Sequence, residues 1–194
     1  MKSDIILAGV GGQGILSIAA TIGTAALKSN LFMKQSEVHG MSQRGGAVYS
    51  NLRIADKPIA SDLIPRKQAD IIISVEPMES LRYLHFLKDD GWLISSVNPF
   101  VNIDQYPNED DLLKEIKKKV KNHILIDAES IASEIKSKRS SNIVMLGAAS
   151  PYINLDFEKY KEALQDIFGS KGQEIVDVNI KALEKGREFT LNNK

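Results

Sequence analysis

The chain contains no cysteine. Iron–sulfur clusters are held by thiolates and structural zinc sites usually are, so this polypeptide cannot carry an ordinary cluster, and any electron relay it serves belongs to another subunit. It also lacks net charge. The 25 Lys and Arg balance the 25 Asp and Glu, which leaves no overall field to draw in DNA or an acidic membrane, and no nucleic-acid partner is expected. No uninterrupted apolar run approaches the roughly 20 residues of a membrane span, and Met1-Lys2-Ser3-Asp4 leads into a strand-like run rather than a signal sequence. The expectation is a cytoplasmic protein with no membrane contact. The three histidines, His39, His85 and His123, stand far apart and fit no metal-ligand spacing, so no metal is assigned.

What is present suffices for one core. At 194 residues and 43% apolar, the chain has the size of a single domain, expected to span 1–194, and neither a repeat nor a linker divides it. Ile5-Ile6-Leu7-Ala8 reads as a buried parallel strand, and Gly14 to Lys28 spaces Ile15, Ile18, Ala19, Ile22, Ala25 and Ala26 as one helix face. Ala47 to Ile54 alternates as a strand with one wetter side, while Ala69 to Val75 is a strand buried on both. A helix is predicted from Pro77 to Leu87, then a turn at Asp89-Asp90-Gly91 and a strand over Gly91–Val97. Asn98 to Asn108, with Pro99 and Pro107, reads as a surface connection.

Asp110 to Lys121 gathers Leu112, Leu113, Ile116 and Val120 on one stripe. Its lysine run, Lys117-Lys118-Lys119, reads as a solvated face, with acids opening and cations closing the helix as its dipole favours. Ile124-Leu125-Ile126 is a strand that delivers Asp127 as a helix cap. Helices follow over Phe157–Phe168 and Gly172–Lys185. Alternating strands and helices imply an α/β fold: a mainly parallel sheet with helices on both faces, a Rossmann-like start and a possible antiparallel strand from Val48 to Ile54.

Two segments stand out. Gly9, Gly11 and Gly14, with Gly12 and Gln13 between, have the G-x-G-x-x-G spacing between a strand and a helix. There, missing Cβ atoms permit a tight turn and a close approach of backbone N–H groups to an anion or another chain. A dinucleotide site would want an acid about 20 residues on, for the ribose. Glu37 is the only candidate, and it opens a polar, glycine-punctuated loop, Ser36 to Gly46, instead of ending an apolar strand. Dinucleotide binding, a structural turn, and docking at an interface or cofactor-facing site all remain readings of the glycine loop.

Within the polar loop, Glu37, His39, Gln43 and Arg44 are flanked by Gly40 and by Gly45-Gly46. The bland reading pairs Arg44 with Glu37 and His39 with a backbone carbonyl. The functional reading gives Arg44 a substrate carboxylate or coenzyme phosphate, which its planar fork grips at two points, and uses His39 and Gln43 to orient a carbonyl or ring nitrogen. None of these residues is assigned a catalytic step. Glu79 and Arg82, three apart on a helix, read as a surface pair. Gly147-Ala148-Ala149 reads as a close helix contact, and Trp92 as core or interface.

Gly9-Val10-Gly11-Gly12-Gln13-Gly14 followed by Ser36-Glu37-Val38-His39-Gly40-Met41-Ser42-Gln43-Arg44-Gly45-Gly46 resembles the gamma-type subunit of the 2-oxoacid:ferredoxin oxidoreductases, above all the indolepyruvate type. Glu76-Pro77-Met78-Glu79 and Asn142 to Ala148 are similar to that family too. The resemblance implies a subunit that is inactive alone and binds no cofactor by itself. A larger alpha subunit would hold thiamine diphosphate, magnesium and iron–sulfur clusters. Coenzyme A would take the acyl group left after carbon dioxide departs from an arylpyruvate, and ferredoxin would take the electrons. The Gly9–Gly14 and Glu37–Gly46 segments would then line or close the cavity beside the partner's thiamine.

Overall fold

The structure is a computed structural model and describes residues 1–40, 45–101 and 103–193. Its centre is β1 (Lys2–Val10), in which Ile5, Ile6, Leu7 and Ala8 are fully buried. A strand with both faces covered must be apolar throughout, and this one is. Ile5 and Leu7 enter one core, Ile6 the other.

Six strands form one sheet in the order β2-β3-β1-β4-β5-β6. β4 (Ala69–Ser74), β5 (Leu87–Ser96) and β6 (His123–Ile126) run parallel to β1. β3 (Ala47–Ala55) is antiparallel both to β1 and to β2 (Phe32–His39). The fold is thus the expected mainly parallel α/β sheet, and the Val48–Ile54 stretch is the antiparallel strand.

Helices cover both faces. α1 (Ile15–Lys28) leaves β1 on the first face. That face is completed by α4 (Ala128–Glu134), α5 (Ser141–Ala149), α6 (Phe157–Phe168) and α7 (Gln173–Asn192). α2 (Pro77–Arg82) leaves β4 toward the second face, which it shares with α3 (Glu109–Lys119). As expected, Lys117, Lys118 and Lys119 point to solvent, and Asp127 caps α4 by accepting from the Ser130 N–H at 2.9 Å. Burial pushes the Asp127 carboxyl up, but hydrogen bonds from Ser130, Asn98 and Glu129 together hold it below its ordinary range.

Four expectations need correction. Ser36 to His39 are not loop: they continue β2, in register with Asn51 to Val48, because an antiparallel neighbour supplies partners that a polar sequence alone does not announce. Asp89-Asp90-Gly91 lies inside β5. There, lack of a Cβ on Gly91 lets the Ala69 and Asp70 carbonyls approach to 3.1 Å from where that atom would stand. The helix begun at Pro77 stops at Arg82. A short 3₁₀ turn, Leu84–Phe86, follows it, since Leu87 is already extended. Finally, Glu79 is not a surface residue: its side chain is 2% exposed against 52% for its partner Arg82, Nε–Oε2 3.0 Å.

Candidate functional site at the switch of the sheet

Because α1 and α2 depart to opposite faces, the carboxyl ends of β1 and β4 leave a crevice between them, the usual place for ligands in open α/β sheets. The glycine loop stands on one side of it and Val75-Glu76 on the other. Gly9 is needed for closeness: a Cβ there would lie 2.3 Å from Val75 Cγ2. Gly12 and Gly14 have φ of 102° and 79°, in the left-handed region. A Cβ on Gly12 would meet nothing within 4 Å, whereas one on Gly14 would lie 2.4 Å from Asn142 Nδ2. Asn142, on the first turn of α5, donates that nitrogen to the Gly14 carbonyl at 3.0 Å.

The Gln13 side chain is folded back into the turn. Its Oε1 accepts from the Val10 N–H at 2.8 Å and its Nε2 donates to the Val75 carbonyl at 3.4 Å, so it ties the end of β1 to the end of β4. A cavity of about 190 Å³ opens beside it, lined by Ser96, Phe100, Glu129 and Asn142 among others.

The two glycine segments meet. The Gly11 N–H donates to the Gly46 carbonyl at 2.9 Å, and the Gly45 N–H reaches the Gly11 carbonyl at 3.5 Å. Gly40 closes the base of the same connection by donating to Ala47 O at 2.9 Å. Glu37 and His39 point to the α1 side of β2. His39 Nε2 lies 3.1 Å from Glu37 Oε2, and Gln35 Nε2 donates to Glu37 Oε1 at 3.1 Å. His39 thus meets a carboxylate, where a carbonyl had been the alternative. It shares a row with Val48 and Gly9 across three strands, roughly 10 Å from the glycine loop at two strand spacings. Gln43 and Arg44 lie outside the described residues.

This arrangement argues against a dinucleotide. β3 separates Glu37 from β1, its carboxylate is already engaged, and the Gly11 N–H that a pyrophosphate would want is given to Gly46.

The segments around Glu76 and Asn142 were visible in the sequence, but their roles were not. Glu76 is fully buried at the end of β4; it caps α2 by accepting from the Glu79 N–H at 2.7 Å and also accepts from the Tyr106 hydroxyl. The surface connection expected over Asn98–Asn108 therefore reaches into the crevice wall. Burial and then the Glu76 carboxylate push the Tyr106 phenol well above its ordinary range, so it stays protonated. Burial likewise raises the Glu79 carboxyl, opposed by Arg82 and reinforced by Glu76. A larger cavity of about 630 Å³ lies at the opposite end of the sheet. Its Arg53 is occupied by Asp4, at 2.8 Å, and by the Ser61 and Leu63 carbonyls.

The mixed sheet, with its glycine turn bridged to a second glycine pair, makes the chain an α/β domain with a crevice at the switch of the sheet, and the family model for pyruvate ferredoxin/flavodoxin oxidoreductase matches residues 4–189 of it. The chain belongs to that family, as a subunit of a 2-oxoacid:ferredoxin oxidoreductase. It is 35% identical to the IorB subunit of indolepyruvate oxidoreductase from Archaeoglobus fulgidus, over 100% of this chain and 98% of that one. It is 29% identical to the common gamma subunit of the pyruvate/ketoisovalerate oxidoreductases of Pyrococcus furiosus, over 94% and 96%. Among solved structures it superposes on 2-oxoglutarate:ferredoxin oxidoreductase from Magnetococcus marinus, with 2-oxoglutarate, coenzyme A and succinyl-CoA bound, at a TM-score of 0.79 and 25% identity. That match covers 98% of this chain and 31% of the other, so this chain spans about a third of that polypeptide. The gamma subunit of a keto/oxoacid ferredoxin oxidoreductase from Geobacter sulfurreducens shares the fold, at a TM-score of 0.71 and 22% identity over 98% and 99%.

Proposed function

We propose that the chain is the smaller subunit of an indolepyruvate-type enzyme that decarboxylates arylpyruvates oxidatively, passing two electrons to ferredoxin and the acyl group to coenzyme A to give an aryl-acetyl-CoA. The residues present do not fit the iron–sulfur clusters of such an enzyme. There are no thiolates for a cluster, and among the described residues no group of three or more His, Asp or Glu could hold a metal ion. Thiamine diphosphate, magnesium and the clusters are therefore assigned to a larger partner subunit, and this chain to the wall of its cavity. A role in amino-acid catabolism in the cytoplasm accords with that substrate class. Among the described residues no helix is long and apolar enough to cross a membrane.

The observation that carries the reading is the Gly11–Gly46 bridge, which ties the entry to β3 to the turn at the carboxyl end of β1, beside the crevice. In this reading a backbone wall beside a reactive carbanion excludes water from it, and His39, Gln43 and Arg44 are the candidates for its polar contacts. The test is to reconstitute the complex with the larger subunit and substitute His39→Ala and Arg44→Ala. Assembly should persist while turnover falls at least about tenfold, roughly 1.4 kcal/mol of transition-state stabilisation. Full turnover in both assembled variants would remove the lining role.

A further inference from the structure

The carboxyl end of β5 does not turn straight into α3. The twelve residues 97–108 intervene, about twice the usual length of a strand-to-helix connection in such folds. Both ends are fastened locally. Asn98 accepts from the Ser96 hydroxyl at 2.9 Å and from the Glu129 N–H at 3.2 Å, and it donates to Asp127 at 2.9 Å. At the other end Asn108 caps α3. Between them the fastening is Glu76, whose Oε1 accepts from the Tyr106 hydroxyl and from the Phe100 N–H, the latter at 3.4 Å. From Ile103 to Asp110 every residue is exposed except Tyr106.

Capping α2 does not call for this arrangement. Where side chains cap α3, α4 and α6 the chain uses Asn108, Asp127 and Asp156, the short residues that suit the role. Glu76 is longer, and only its Oε2 serves the Glu79 N–H. A fully buried carboxylate is costly unless its remaining lone pairs are taken, and Tyr106 and Phe100 take them. What the tie holds in place is Phe100. With Val75, Ala128 and Met145 that residue forms the apolar part of the cavity beside Gln13, and it is still 40% exposed.

We infer that Glu76 is a positioning residue: by holding the Tyr106 hydroxyl and the Phe100 backbone it sets Phe100 as the aromatic wall of the crevice. At 0% exposure, with both oxygens engaged, Glu76 touches no ligand and is not catalytic. Its effect on the reaction, which rests on the function proposed above, runs through Phe100.

The test is made on the complex with the larger subunit. Tyr106→Phe keeps the carboxylate and the α2 cap and removes one tie, whereas Glu76→Ala removes them all; Tyr106→Phe decides if Glu76→Ala does not fold. Hydrogen exchange over Val97–Val101 should quicken about fivefold in Tyr106→Phe, the scale of one ordinary hydrogen bond. kcat/KM for an arylpyruvate should fall about as far, roughly fivefold. Phe100→Ala should lower kcat/KM as well, and adding Tyr106→Phe to it should bring no further fall, because the residue acted upon is gone. A defect in stability alone would lower both backgrounds alike. Unchanged exchange in Tyr106→Phe, unchanged kcat/KM despite faster exchange, or a full further fall in the Phe100→Ala background would each overturn the inference. A wild-type complex inactive on arylpyruvates would strike the proposed function instead, and the exchange result would then decide the role of Glu76.

Discussion

Gly147 of α5 and Gly186 of α7 are each pressed into the backbone of the other's helix. A Cβ on Gly147 would stand 2.0 Å from the Leu183 carbonyl oxygen, and one on Gly186 would stand 1.9 Å from that of Val144. The obstructing atoms are main chain and cannot turn aside, so the close approach of α5 and α7 depends on two absent methyl groups. Either glycine replaced by alanine is expected to cost about 3 kcal/mol or more, the upper range for overpacking. Urea unfolding should show this, with Gly169→Ala, whose nearest neighbour is the end of the Gln165 side chain at 3.1 Å, close to neutral.

Gly14 and Asn142 form a second such pair. Gly14→Ala should destabilise by about 1–3 kcal/mol through its left-handed backbone and the clash with the Asn142 amide. Asn142→Ala should cost about 1–3 kcal/mol by stripping the Gly14 carbonyl of its partner. The double variant should cost less than the sum, since removing the amide also removes the clash. A double-mutant cycle on unfolding free energies measures this directly.

Glu79 gives the fold a pH dependence. Its folded pKa is raised above the ordinary 4.5, so the folded state holds the proton more tightly than the unfolded chain. The stability it contributes is complete below about pH 4.5 and is lost as pH rises through the folded value. Glu79→Gln should therefore gain on the wild type progressively above pH 4.5, read as the difference in urea midpoints from pH 4 to 8. A constant difference across that range would contradict the burial of the carboxylate.

Tyr160 is fully buried on α6, and its hydroxyl has no hydrogen-bond partner among the described residues. Burial raises its phenol far above the ordinary range. Tyr160→Phe keeps the ring in place and removes the unsatisfied group, so it should be neutral or stabilising by about 1 kcal/mol. Thermal and urea unfolding of the variant would check it.

The legible parts of the sequence were those with local causes. Ile5 to Ala8 and Ala69 to Val75 are apolar because both faces of the strand are covered, and that shows as an unbroken run. Asp127 caps α4 through its own side chain, and the Gly147 segment permitted close helix packing as read. The β2 edge was not legible: Glu37 to His39 carry a loop's residue types, and only β3, arriving between β1 and β2, makes them a strand. Neither was Glu79, whose i,i+3 spacing to Arg82 fits a surface pair until the second face closes over it.

Of the site, the sequence by itself supplied both glycine segments and the family resemblance, since positive φ and close backbone approach select glycine at a fixed place in the chain. The absence of cysteine, a matter of composition alone, excludes a thiolate-held cluster on this chain. The tertiary structure decided that Gly11 and Gly46 bond to each other, that Asn142 holds Gly14 across 128 residues, and that Glu37 stands two strands from the glycine turn. These relations depend on strand order and on which face each helix takes. Many distant contacts must agree at once to fix that order, and no local pattern records it.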